Sequence, residues 1–208
     1  MSNILIVTSS AQSERSVSSR LARDFEDQLR AAHPGATIVR RDVGAEPIPH
    51  LTAATIDAII ATPETASAKA ARALSDALIA ELEAADLIVI ASPMYNFGMS
   101  STLKAWFDHV LRRGVTFRYT DNGPEGLLKG KKTVVIQSRA GLYSEGDAAA
   151  MDGQEPHLRT LLGFMGLDDV RWVRAESLAF GPEAADVSIG AATAQLNGIV
   201  AGELALAA

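Results

Sequence analysis

The sequence predicts an α/β protein built on an open parallel sheet with helices on both faces. Short apolar runs, Ile4-Leu5-Ile6-Val7, Leu87-Ile88-Val89-Ile90 and Thr133-Val134-Val135-Ile136, are too short for helices and do not alternate with polar residues. That is the pattern of strands buried on both faces. Segments with helical spacing separate them, and regular β-α alternation implies right-handed crossovers between parallel strands. The loops that follow the runs are rich in Ser, in Pro and aromatics, or in small residues, where open α/β sheets bind ligands.

In chain order, Ile4-Leu5-Ile6-Val7 is the first strand. After a Ser-rich turn, Val17, Leu21, Phe25 and Leu29 recur at helical spacing until Pro34-Gly35 ends the helix. Thr37-Ile38-Val39-Arg40-Arg41 reads as a second strand, and its weaker apolar character puts it nearer an edge. An Ala- and Leu-rich helix over residues 68–85 delivers the chain to a third strand over 86–91, followed by an amphipathic helix over 103–111. Residues 133–136 and 170–173 form the fourth and fifth strands, residues 117–127 between helix and fourth strand read as a long loop, and an Ala-rich helix over 183–206 closes the fold.

Composition excludes several functions. At 208 residues one domain is the default, and 48% hydrophobic with 5% aromatic residues describes a globular chain with an aliphatic core. A net charge of −6 argues against general nucleic-acid or anionic-membrane binding, which need a basic face. With no Cys, there are no disulfides, thiolate metal sites or catalytic thiols. His33, His50, His109 and His157 lack partners at ligand spacing, so no metal site is expected. No apolar run approaches the roughly 20 residues of a membrane span, and Met1-Ser2-Asn3-Ile4-Leu5 enters a strand directly, so the expected location is the cytoplasm.

Three strand-end loops carry candidate chemistry. Ala91-Ser92-Pro93-Met94-Tyr95-Asn96-Phe97-Gly98 offers a fixed turn, aromatic faces, an amide and exposed N–H groups, suited to a planar ring with polar edges. Six serines between Ser9 and Ser19 exceed what one helix N-cap requires. Hydroxyls of Ser10, Ser16 and Ser18, with the free N–H groups opening the next helix, make an anion pocket that needs no basic residue. Gln137-Ser138-Arg139-Ala140-Gly141 is a third such loop, small enough for backbone N–H groups to approach a ligand. A dinucleotide Gly-x-Gly-x-x-Gly fingerprint is absent after the first strand. Gly130-Lys131-Lys132-Thr133 is no phosphate loop, because Lys132 stands where Ser or Thr is needed and a strand follows it.

Together the residues resemble the FMN-dependent NADH:quinone oxidoreductase/azoreductase family. The resemblance rests on Ser9-Ser10 with Ser16-Val17-Ser18, Pro93-Met94-Tyr95-Asn96-Phe97, Leu103-Lys104-x-Trp106-Phe107-Asp108, Gly114-Val115-Thr116-Phe117-Arg118-Tyr119 through Gly126, Ser138-Arg139-x-Gly141 and Gly163-Phe164-Met165-Gly166. It runs from about residue 3 to about residue 183. The resemblance implies a flavodoxin-like fold of sheet order 2-1-3-4-5, with FMN at the switch point, one per subunit. It assigns the FMN phosphate to Ser10, Ser16, Val17 and Ser18, and the ring to Met94, Tyr95, Asn96 and Phe97 with Ser138, Arg139, Ala140 and Gly141. Many members have Gly where this chain has Ala140, whose methyl could restrict φ or crowd the ring. Asn96 is the candidate for tuning the flavin.

The resemblance further implies two-electron transfer from NADH or NADPH to quinones and reductive cleavage of aromatic azo compounds, donor and acceptor taking turns. No side chain need act as a nucleophile, since the flavin carries the chemistry. It also implies a homodimer with two sites at the interface, roofed by aromatics, for which Phe117, Tyr119 and Phe164 are the candidates. Two alternatives stand beside this: a flavin reductase that releases reduced FMN, and a non-catalytic flavodoxin-like electron carrier, against which the modest charge of −6 counts.

Overall fold

A computed structural model describes residues 1–203. Seven strands and six helices form a five-stranded parallel sheet of order β2-β1-β3-β6-β7 and a separate two-stranded hairpin. The strands of the main sheet are β1 (Asn3–Thr8), β2 (Thr37–Asp42), β3 (Leu87–Pro93), β6 (Lys132–Ser138) and β7 (Asp169–Ala175). This is the flavodoxin-like order 2-1-3-4-5, and the chain reverses direction across the sheet between β1 and β3.

Register follows from the apolar runs. Ile4 pairs with Ile38 on one side and Leu87 on the other, and Val89 of β3 pairs with Val134 of β6. Successive side chains point to opposite faces, so one run feeds two cores. Ile4, Ile6, Leu87, Val89 and Val134 face α1 (Val17–Ala32) and α6 (Pro182–Gly198). Leu5, Val7, Ile88, Ile90 and Val135 face α3 (Ala66–Ala84), α4 (Ser101–Val110) and α5 (Glu155–Met165). β2 and β7 are the edges, and each has a polar, partly exposed face, which is why their apolar pattern is weaker.

Caps set the helix starts. Ser16, Thr65 and Ser100 accept from the N–H groups of Ser19, Ala68 and Leu103, each at 3.2 Å. The one-turn α2 (Asp57–Ile60) lies in a stretch with no sequence signal. α6 ends at Gly198 and a π-helical turn, Ile199–Glu203, follows, so the helix expected to 206 is shorter, with its last residues outside those described.

Residues 117–126 depart from the sequence reading. The expected long loop is an antiparallel hairpin of β4 (Phe117–Thr120) and β5 (Gly123–Gly126). Its base is pinned to the end of α5, where a Cβ on Gly126 would stand 2.0 Å from the backbone N of Gly166. Leu128 N–H also donates to Met165 O at 2.9 Å. Because α4 and α5 run antiparallel to the strands, this hairpin lies at the N-terminal end of the sheet.

Candidate functional site

At the C-terminal ends of β1, β3, β6 and β7 lies a cavity of about 270 Å³ whose lining includes Ser10, Ser16, Val17, Met94, Tyr95 and Ala140. That volume is near the lower end of the roughly 300–1,000 Å³ of ligand pockets. A larger crevice of about 390 Å³ between α1 and the edge strand β2 shares only Ser10 with it. Its cations are committed to neighbours, Arg40 to Glu26 and Arg23 to Glu14. We therefore assign the chemistry to the smaller, switch-point cavity.

One wall is the serine cradle. Ser16 and Ser18 are buried with their hydroxyl oxygens 3.3 Å apart, while Ser16 also caps Ser19 N–H. Val17 and Ser18, the first two residues of α1, have N–H groups with no intrahelical partner. Ser10 Oγ accepts from Gln12 N–H and shares a hydrogen bond with Tyr95 Oη, each at 3.1 Å, and Ala11 N–H donates to the same phenol at 3.0 Å. The phenol of Tyr95 therefore ties the β3 loop to the β1 loop.

The loop after β3 closes as a tight turn, with Tyr95 N–H donating to Gly98 O at 2.9 Å and Gly98 N–H to Tyr95 O at 3.0 Å. Its central residues have positive φ, +47 at Asn96 and +69 at Phe97. This is the type I′ pattern, in which Asn is at ease at the first position and Gly normally fills the second. Phe97 in that place costs about 1–2 kcal/mol, and the residue is 48% exposed. Strain of this kind persists where the surrounding structure enforces it, often at ligand clamps. Phe97 O is held by Gly153 N–H at 2.8 Å.

The loop after β6 is bonded on both sides: Ser138 O accepts from Met94 N–H, Arg139 N–H donates to Ala175 O, and Ala140 O accepts from Ala179 N–H. The N–H groups of Asn96, Phe97, Ala140 and Gly141 have no partner among the described residues. Ala140 is not among the positive-φ residues, so its methyl imposes no backbone strain.

Arg139 is among the residues that line the cavity. Its side chain is wholly buried against Asp152 at 3.0 Å, Glu155 at 3.4 Å and Glu176 at 3.0 Å. Those carboxylates and Gln154 Oε1, at 3.0 Å from Nε, engage all three guanidinium nitrogens. Burial pushes the Glu155 and Glu176 carboxyls up, but hydrogen bonds outweigh it and hold both below the ordinary glutamate range. Those bonds come from Arg174 and Arg159 to Glu155, and from Ser144, Tyr143 and Arg139 to Glu176. Gln154 extends the network to β3, donating to Ser92 O at 2.9 Å. Sequence reasoning missed Asp152, Gln154, Glu155 and Glu176. Their only sequence signal is a density of charge unusual for buried segments.

The aromatic candidates come together, but elsewhere. Phe117 meets Phe164 at 4.7 Å and Tyr119 at 5.7 Å between ring centroids. They sit beside the hairpin base, separated from the cavity by the length of α5, on the order of 15 Å at 1.5 Å per residue. They do not roof this chain's own cavity. His109 is buried, with Nε2 2.9 Å from Pro49 O, and no group of three or more metal-type side chains occurs among the described residues. No described helix is long and apolar enough to cross a membrane.

The donors present fit FMN: hydroxyls and free N–H groups at a helix start suit a monophosphate, and unpartnered N–H groups on two facing loops suit a ring with polar edges. Sheet order and cavity define a flavodoxin-like protein, and the family described as the flavodoxin-like fold matches residues 2–199. The chain is 55% identical over 196 residues to the FMN-dependent NADH:quinone oxidoreductase of Hyphomonas neptunium, covering 94% of each chain. It is 45% identical over 210 residues to FMN-dependent NADH:quinone oxidoreductase 1 of Rhizobium etli, covering 100% of both. An azoreductase from Bacillus anthracis superposes with a TM-score of 0.87 at 28% identity, over 96% of this chain and 99% of that one. The chain belongs to the FMN-dependent NADH:quinone oxidoreductase family.

Proposed function

We propose that this protein is an FMN-dependent oxidoreductase that moves two electrons from NADH or NADPH to quinones and reductively cleaves aromatic azo compounds to amines. The observation that carries the reading is a single strand-end cavity joining a serine cradle to two loops with unpartnered N–H groups, in a chain of this family. When bound, FMN supplies the redox chemistry, accepting a hydride from a nicotinamide and passing electrons to a flat acceptor.

The chain's own residues bind and orient. Ser10, Ser16 and Ser18 hydroxyls and the N–H groups of Val17 and Ser18 hold the phosphate, aided by about half a positive charge at the start of α1. Met94, Tyr95, Asn96 and Phe97 hold one side of the ring and Ser138, Arg139, Ala140 and Gly141 the other, while the buried Arg139 guanidinium also fixes the second loop against its carboxylates. Asn96, at the head of the β3 turn, would supply an amide for the ring's polar edge. With one crevice to hold the flavin, donor and acceptor would take turns at it.

A homodimer completes the site in this reading. Phe117, Tyr119 and Phe164 lie too far from the cavity of their own chain, so they contact substrate only in the cavity of a second copy. A Cys-free chain that draws on nicotinamide dinucleotides suits the cytoplasm.

Heat release and chromatography of the bound flavin test the cofactor, with FMN expected and FAD refuting it. Steady-state assays with NADH and a soluble quinone are expected to give parallel double-reciprocal plots; intersecting plots refute the alternation. An azo dye is expected to consume two NADH per bond cleaved. Light scattering is expected to give twice the single-chain mass, and a fully active monomer refutes the shared site.

A further inference from the structure

Tyr143 belongs to none of the motifs, yet it closes the gap between the two ring-facing loops. Its backbone is fixed, because the N–H groups of Tyr143 and Ser144 donate to one Glu176 oxygen at 2.9 and 3.1 Å, and Arg139 Nη1 donates to that oxygen at 3.0 Å. The ring rests over Gly141, where a Cβ would stand 3.0 Å from the ring edge and 3.2 Å from the phenol oxygen. Only glycine leaves it that room. On the other side it meets Phe97 edge-on, with centroids 6.1 Å apart and planes at 85°. The phenol makes no hydrogen bond among the described residues. Phe97 keeps its side of this corner from a left-handed backbone with φ +69, where glycine would be unstrained.

We infer that the Phe97–Tyr143 corner selects the electron acceptor. The corner bridges the β3 and β6 loops, presents aromatic surface from both, and carries a hydroxyl that makes no hydrogen bond among the described residues. A flat, carbonyl-bearing aromatic molecule packs along the two rings while the Tyr143 phenol donates to its carbonyl oxygen. Glu176, itself held by Arg139, sets the position of Tyr143. This rests on the enzyme reading above and names the residues that set acceptor preference within it.

The test is steady-state kinetics with 1,4-naphthoquinone and 1,4-benzoquinone on wild type, Tyr143→Ala, Tyr143→Phe and Phe97→Gly. Tyr143→Ala is expected to raise the naphthoquinone KM about tenfold and the smaller quinone's less, from lost ring contact. Tyr143→Phe is expected to raise both about threefold, the effect of one neutral hydrogen bond. FMN affinity by fluorescence quenching is expected to stay within about twofold in the Tyr143 variants, since the phosphate and ring donors are backbone and serine groups. Phe97→Gly is expected to raise the thermal midpoint while raising the naphthoquinone KM, opposite signs that a purely structural role does not produce. An unchanged naphthoquinone KM in Tyr143→Ala, or FMN affinity falling in step with it, overturns the proposal. A wild type that binds no FMN or reduces no quinone overturns the enzyme reading and this proposal with it, whereas an active wild type with indifferent variants overturns the proposal alone.

Discussion

Replacing Arg139 with Met keeps the length of the side chain and deletes its charge from the centre of a balanced cluster. Three guanidinium groups, Arg139, Arg159 and Arg174, face three carboxylates, Asp152, Glu155 and Glu176. Arg139 is 0% exposed at its side chain and the three carboxylates 9–10%. Glu155 keeps Arg159 and Arg174 in the variant, at 2.6 and 2.5 Å. Glu176 loses its cation and retains only the N–H groups of Tyr143 and Ser144, and Asp152 retains only those of Gln154 and Glu155. Removing one partner from a buried pair costs about 3–5 kcal/mol, and the surviving N–H donors put this case at the lower end, about 3 kcal/mol.

That is a large share of the roughly 5–15 kcal/mol by which a domain is stable. With a urea m-value of about 2 kcal/mol/M, the midpoint is expected to fall by about 1.5 M. Adding Glu176→Gln to Arg139→Met removes the uncompensated charge and is expected to return part of that loss. A midpoint shift under about 0.3 M at pH 7, or a double variant no more stable than the single one, refutes the view that the cluster is energetically coupled.

Three further outcomes follow from the same geometry. Because Glu155 and Glu176 are held below their ordinary range, their contribution is full above an unfolded value near 4.3 and is lost as pH falls through the folded values; urea midpoints flat down to about pH 5 and falling below it are expected, and a midpoint that rises on acidification contradicts this. Ser16→Asp sets a carboxylate against the phosphate and is expected to weaken FMN binding far more than Ser67→Asp on exposed α3, with equal affinities by fluorescence titration refuting the cradle. Asn96→Gly keeps the φ of +47 accessible while deleting the amide, so stopped-flow reduction by NADH is expected to slow by roughly two- to tenfold, the effect of one hydrogen bond, with less change in FMN affinity. An unchanged rate removes Asn96 from ring tuning.

The strands and serine loop were legible because their physics is local. β1, β3 and β6 are buried on both faces, so their sequences are nearly continuous apolar runs. β2 and β7 lie at the edges, where Arg40, Arg41, Arg171 and Arg174 interrupt the pattern without preventing the ladder. The hairpin was illegible because Gly123-Pro124-Glu125-Gly126 has poor strand propensity; the Gly126–Gly166 approach and the Phe117–Phe164 contact anchor it, and both are tertiary. The ion cluster around Arg139 was illegible for the same reason. The partners of Arg139, Asp152, Glu155 and Glu176, lie further along the chain, and nothing local in the sequence joins them to it.

The aromatic trio lies at the end of the sheet opposite the cavity of its own chain. Phe117 and Tyr119 follow the α4 motif, and Phe164 lies in the motif that ends α5, so sequence order associates all three with the ligand loops. Yet α4 and α5 each begin at the loop end of the sheet and carry the chain to its opposite end before these residues occur. Lys131 marks that end, donating to Glu83 O and Ala85 O just before β3 begins. A contact between the trio and a ligand at the switch point therefore requires a second molecule placed head to tail against the first. Light scattering and quinone kinetics on Phe164→Ala thus address one question: if the trio acts on substrate, the variant's KM rises only in the assembled dimer, and an active monomer is indifferent to the substitution.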